Sequence, residues 1–145
     1  MLRLSKKVEY SLMALLHMDG QDSAMLTSSR EVAETYHIPV ELLGKVLQAL
    51  ARAEVVESVH GAHGGYRLVR ALETLTLGDV LEAVDGPLHL VRCHENTDSC
   101  DQYEECNIRE PILRVQQQLV DYLAAFRLAD FRRERPRETK AKGGL

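Results

Sequence analysis

The chain has 145 residues, 45% of them hydrophobic and 28% charged, which suits one compact domain or a small domain with an extended element and is too short for a large multidomain enzyme. No stretch approaches the ~18 uncharged apolar residues of a membrane span, and Glu9, His17 and Asp19 interrupt the N-terminus where an export signal would be apolar, so a cytoplasmic protein without membrane contact is expected. The net charge is -4 but uneven: residues 1–70 hold 8 Lys/Arg and 8 Asp/Glu, residues 71–126 hold 3 and 11, and residues 127–145 hold 7 and 3. A nucleic-acid role therefore cannot rest on overall charge.

Ser5 precedes a run in which Val8, Leu12, Leu15 and Leu16 recur at helical intervals, ending near Gly20. Ser28-Ser29-Arg30-Glu31 has the Ser-x-x-Glu form of a helix start, and Val32, Ala33 and Tyr36 follow as a short apolar face. His37-Ile38-Pro39 breaks that helix. Pro39 suits the opening of the next one, whose buried side is Leu42, Leu43, Val46, Leu47 and Leu50. Val55 to His60 and Tyr66 to Val69 alternate as strands around a tip of Gly61-Ala62-His63-Gly64-Gly65. Thr76 to Val84 reads as another helix, stopped at Gly86-Pro87, and Leu88 to Arg92 as an extended link. The segment after it, with six acids and one Arg between 93 and 110, reads as a loop. Ile112, Val115, Leu119, Tyr122 and Phe126 then mark a long helix from about 110 to 130, roughly 30 Å in length. Its apolar stripe exceeds what the preceding small domain can cover, which predicts a homodimer. Arg132 to Leu145 is charged and aperiodic, so a disordered basic tail is expected.

Helix, short helix, tight turn, helix, hairpin is the order of a winged helix-turn-helix, whose third helix enters the major groove of double-stranded operator DNA. Opposite the apolar side of that helix stand Glu41, Gly44, Lys45 and Gln48, with Arg52 one turn beyond. Lys donates to guanine, Gln pairs with adenine and Glu accepts from cytosine, although the same residues would serve an ordinary solvated face. Gly44, costly within a helix by ~1 kcal/mol, suggests close approach to DNA or simple tolerance. Ser28, Ser29 and Arg30, with Lys6 and Lys7, are candidate phosphate contacts. His60, His63 and Arg67 flank the glycines of a thin wing suited to the minor groove, while any hairpin also needs tip glycines.

Cys93, Cys100 and Cys106 are an odd number in a chain expected to be cytosolic, which argues against disulfides. The Cys-x2-Cys pair of zinc sites is absent, whereas wide spacing of thiolates suits an iron-sulfur cluster, either 4Fe-4S or 2Fe-2S.

Several stretches together carry a resemblance. They are Ser5-Lys6-Lys7-Val8-Glu9-Tyr10-Ser11-Leu12, Ile38-Pro39 with Leu42-Leu43, Ser58-Val59-His60-Gly61-Ala62-His63-Gly64-Gly65-Tyr66-Arg67-Leu68, Leu77-Gly78-Asp79-Val80-Leu81-Glu82-Ala83-Val84-Asp85-Gly86-Pro87, and the three cysteines before a long helix. Over residues 4–130 the chain resembles the Rrf-type (IscR- and NsrR-like) iron-sulfur winged-helix regulators. The resemblance implies a mainly α fold with a small β-hairpin wing: residues 1–87 a winged helix-turn-helix, 88–109 a cluster-binding loop, 110–131 a dimerisation helix and 132–145 a tail. It also implies a non-enzymatic, homodimeric repressor whose operator binding follows an iron-sulfur cluster sensing cluster supply, nitric oxide, oxygen or redox state. Some relatives use a His three residues past the last cysteine as fourth ligand, but Arg109 stands there and cannot ligate. Others use a carboxylate from helix one of the partner, which matches Glu9; His94 is a weaker substitute. The chain departs from its relatives in a first cysteine gap of six residues, in His60 where many have an arginine, and in lacking a tryptophan in the long helix. The alternative is a cluster-free thiol-redox or metabolite-responsive repressor.

Overall fold

In the computed structural model, which describes residues 2–94 and 100–132, five α-helices and one hairpin follow in the expected order. They are α1 (Lys6–Asp19), α2 (Ser29–Tyr36), α3 (Val40–Arg52), β1 (Val56–Val59), β2 (Gly65–Leu68), α4 (Leu77–Asp85) and α5 (Arg109–Ala125). Short 3-10 turns occupy Arg92–His94, Tyr103–Glu105 and Leu128–Phe131. Residues 88–91 are irregular rather than extended strand. The His94 side chain and the tail from 133 onward lie outside the described residues.

Local chemistry sets the helix starts. The Ser5 hydroxyl accepts from Val8 N at 3.2 Å and donates to Asp85 at 2.6 Å, so one cap also joins the start of α1 to the end of α4. Ser28 accepts from Glu31 N at 3.0 Å, and Thr76 and Asp79 form a reciprocal capping box at the head of α4. His37 ends α2 in the left-handed region, at φ 55°, and turns Ile38 into the core.

The core gathers Val8, Leu12 and Leu15 of α1, Val32 of α2, and Leu43, Val46, Leu47 and Leu50 of α3, closed below by Val80 of α4. The hairpin pairs Val56 with Leu68 and Val59 with Gly65. Thr27 extends the pairing by one isolated bridge, exchanging backbone hydrogen bonds with Tyr66, both 2.8 Å.

The long helix is shorter than its sequence pattern suggests. α5 stops at Ala125 and not near 130, giving 17 residues and about 25 Å. Phe126 continues the apolar spacing, yet the chain turns there. Its carbonyl accepts from Leu77 N at 2.9 Å, Leu128 N donates to Leu75 O at 2.9 Å and Ala129 N to Leu72 O at 3.2 Å. The Leu128 side chain is fully buried beside Leu72 and Leu75. Tertiary burial of one leucine therefore outweighs another turn of half-exposed helix. Arg132, expected within the tail, is instead clamped by both carboxylate oxygens of Asp19, at 2.7 and 2.8 Å, and by Glu73.

A polar cluster joins α1 to α2. His17 Nδ1 meets the Tyr36 hydroxyl at 2.9 Å, its Nε2 lies 3.1 Å from Glu31, and Gln21 donates to the same carboxylate at 2.8 Å. The Gln21 amide first, and His17 second, hold the Glu31 carboxyl below its ordinary value of 4.5.

Two outcomes follow from these contacts. Leu128→Ala should lower unfolding free energy by about 2–5 kcal/mol in a urea melt, because it empties a fully enclosed site. Since folding depresses the Glu31 pKa, its contribution is present above the ordinary carboxylate pKa and is lost as pH falls through the folded value. Gln21→Ala should raise the Glu31 midpoint in a carboxyl NMR titration and shrink this acid-sensitive stability.

Candidate nucleic-acid interface and cysteine segment

The geometry of α3 follows from its packing. Pro39, at the cap, accepts from Leu43 N at 3.0 Å, and the four buried side chains Leu43, Val46, Leu47 and Leu50 fix the rotation of the helix. Glu41, Lys45, Gln48 and Arg52 are thereby exposed in a row, with Gly44 half-buried among them. Leu42, expected in the core, is only half-buried. Neither Lys45 nor Arg52 is engaged in an ion pair among the described residues. A Cβ built on Gly44 would meet no atom within 4 Å, so internal packing does not explain the glycine.

The neighbouring cations are more committed. Arg30 is exposed but lies 3.8 Å from Glu34 one turn on, in an ion pair that water largely screens. Lys6 donates to Glu9 at 2.8 Å, which raises the lysine pKa, and Lys7 lies 3.8 Å from Asp85. Ser28 already uses its hydroxyl as the α2 cap, while Ser29 and Arg30 occupy the first turn.

At the wing, His60, His63 and Arg67 are all exposed. Arg67 faces Glu57 across the hairpin and is hydrogen-bonded to it, so its charge is largely answered within the wing. The glycines have structural reasons of their own. A Cβ on Gly64 would collide with Val59 O, one on Gly65 would come within 2.7 Å of Thr27 O, and Gly61 sits at φ +124°. The glycine motif is thus what a wing braced by the Thr27 bridge requires.

Cys93, Cys100 and Cys106 are free and half-buried. The last two flank a 3-10 turn in which Tyr103 N donates to Cys100 O at 3.2 Å. Arg109 donates to Tyr103 O at 2.8 Å and stacks 4.3 Å above its ring, so this non-ligand residue braces the loop. For an iron-sulfur cluster the donor types fit: three thiols, none in a disulfide. Among the described residues, however, no three of His, Cys, Asp and Glu converge as a metal-holding group. Glu9 lies on α1, half-exposed and engaged by Lys6.

The α3 row and the wing histidines are therefore presented outward, and the three cysteines fall within one short segment without converging. Sequence reading missed the Glu57 partner of Arg67 and the buried Gln116, whose side chain accepts from Leu90 N at 2.8 Å. A cross-strand count could have found Glu57; a glutamine in a polar stretch of helix gave no signal.

Solved structures share this fold. A Listeria innocua protein assigned as a transcriptional regulator is 26% identical, covers 99% of this chain and 94% of its own, and superposes with a TM-score of 0.74. CymR, the global cysteine regulator of B. subtilis, is 24% identical over 90% of this chain and 96% of its own, with a TM-score of 0.67. IscR of T. potens is 23% identical over 90% and 85%, with a TM-score of 0.66. At such identity the last two speak for the winged-helix fold alone. No helix among the described residues is long and apolar enough to cross a membrane. Residues 4–134 match the model of the Rrf2 family, described as iron-dependent transcriptional regulators, and the chain belongs to that family.

Proposed function

We propose that this regulator is a homodimeric, cytoplasmic repressor that reads operator DNA with α3 in the major groove and its wing in the minor groove. The observation that carries the reading is the exposed α3 row around Gly44, a glycine with open space where packing would have allowed alanine. Lys45, Gln48 and Glu41 supply base-reading groups; Arg52, Arg30, Ser28 and Ser29 supply phosphate contacts. His60, His63 and Arg67 flank the minor groove. The uncovered stripe of α5, with Val115 50% and Tyr122 65% exposed, supports a second copy as its cover.

Cys93, Cys100 and Cys106, with the partner subunit's Glu9, would hold an iron-sulfur cluster. Such a group would supply iron chemistry responsive to oxidants and nitric oxide, and a carboxylate is an exchangeable ligand suited to sensing. The family description as iron-dependent supports this. A second reading, a cluster-free thiol switch, rests on the same three free thiols.

Gly44→Ala separates reading from folding. It should raise helix stability by about 0.5–1 kcal/mol while weakening operator binding at least tenfold in an anisotropy titration. Log affinity should fall with log salt at about 0.9 per phosphate neutralised, and Lys45→Ala should lower that slope. A stabilised Gly44→Ala protein with unchanged affinity would sink the α3 assignment.

Oxygen-free purification, followed by iron analysis and visible absorption, decides between the two sensors. The cluster reading expects coloured, iron-containing protein whose cluster decays faster in Glu9→Ala. Colourless protein after reconstitution, joined by a reversible disulfide that alters DNA affinity, would establish the thiol switch instead.

A further inference from the structure

All three cysteines fall between two positions of the chain joined by one side-chain hydrogen bond. The Leu90 N–H donates to the side-chain oxygen of Gln116 at 2.8 Å, 26 positions along the chain, and Cys93, Cys100 and Cys106 fall between the two. Gln116 is 7% exposed and is the buried residue of α5. An amide is unfavourable in such a place unless its polar atoms are bonded, whereas leucine would bury there without a partner. Leu90 belongs to an irregular stretch that offers its N–H no ladder. Each group supplies what the other needs, and the bond pins the main chain three residues before Cys93 to α5. It does so in the groove where α4 and α5 pass closely, a Cβ on Gly78 coming within 3.3 Å of Ala124 N.

The far end of the segment has its own stay. Arg109, three residues past Cys106, holds Tyr103 by a hydrogen bond and by its ring. Arg109 and Gln116 are two helical turns apart, so they share one side of α5, about 10 Å from each other. The apolar row at Ile112, Val115, Leu119 and Tyr122 lies about a quarter turn round the helix.

We infer that Gln116 is the positioning residue for the Cys93 end of the sensing segment, tying its displacement to α5 beside the α4 contact. This rests on the cysteine segment being the sensing element. Whatever draws the thiols together or apart pulls on Leu90, and through Gln116 on the helix that carries the apolar row.

The test uses full-length, reduced, metal-free protein without DNA. Each cysteine is labelled with N-ethylmaleimide and its rate read by peptide mass spectrometry. Gln116→Met and Gln116→Leu remove the acceptor at similar volume, while Gln116→Glu keeps an acceptor oxygen. Cys93 should label roughly fivefold faster in the first two, the change expected for loss of one ordinary hydrogen bond. Cys106, held separately through Arg109 and Tyr103, should keep its rate, and Gln116→Glu should restore that of Cys93. Equal Cys93 rates, a uniform rise at all three thiols, or no restoration by Gln116→Glu would overturn the inference. So would loss of folding in both acceptor-less variants, which would mark a plain stability role. Iron uptake by the unaltered protein is read separately: its absence defeats the cluster reading and leaves the outcome of the thiol labelling unaffected.

Discussion

The return of the chain after α5 is the contact on which the rest of the molecule depends. Phe126, Leu128 and Ala129 bond to the backbone of Leu77, Leu75 and Leu72, so the end of the long helix is stitched to the loop that launches α4. Leu128 fills the core beneath those bonds, and Arg132 fastens the same stretch to the end of α1. Gly78 lets the two helices touch closely above the stitch. A helix joined to a domain only by a loop would swing freely. Joined in this way, α5 is held to the α4 side of the winged helix at its end as well as along its length.

Electrostatics orients the molecule more than it attracts. Several cations near α3 and the wing have a carboxylate already: Lys6 with Glu9, Lys7 with Asp85, Arg30 with Glu34 and Arg67 with Glu57. Lys45 and Arg52 on α3 are not so engaged among the described residues, and the acids concentrate between 71 and 126. Phosphates would be repelled from the α5 side and admitted at α3. On the function proposed above, a net charge of -4 leaves little general attraction to DNA, so base contacts at α3 would carry a larger share of the binding.

What the sequence disclosed was local. Ser5, Ser28 and Thr76 announce helix starts because a hydroxyl beside unsatisfied N–H groups acts within four residues, and the α3 face follows from a period that packing preserves. What it concealed depends on distant partners. Phe126 extends the helical spacing, and only Leu128 meeting Leu72 and Leu75 shows why the helix ends before it. Gln116 sits beside Gln117 and Gln118 and looks solvent-facing until Leu90 is brought to it. The wing glycines are visible as a motif, but the reason for Gly65 is Thr27, which no hairpin pattern contains. For the candidate sites, the outward α3 row was legible, whereas the cysteines, legible as a group, do not converge among the described residues.

The two incomplete features of the single chain point to one remedy. Val115 and Tyr122 of the α5 stripe are exposed, and among the described residues the thiols neither converge nor meet a fourth donor. On the function proposed above, a second copy supplies the cover and brings its own α1 to the thiols, so subunit association and ligand binding share one equilibrium. A group held only by the assembled pair stabilises that pair by RT ln(1 + [L]/Kd), and its loss returns the same free energy to dissociation or rearrangement. Because α5 is stitched to the winged helix at Leu77 and Leu128, the pair cannot rearrange along its helices without turning both reading faces. Sensing then needs no large motion within either subunit, only a shift in how two rigid bodies meet.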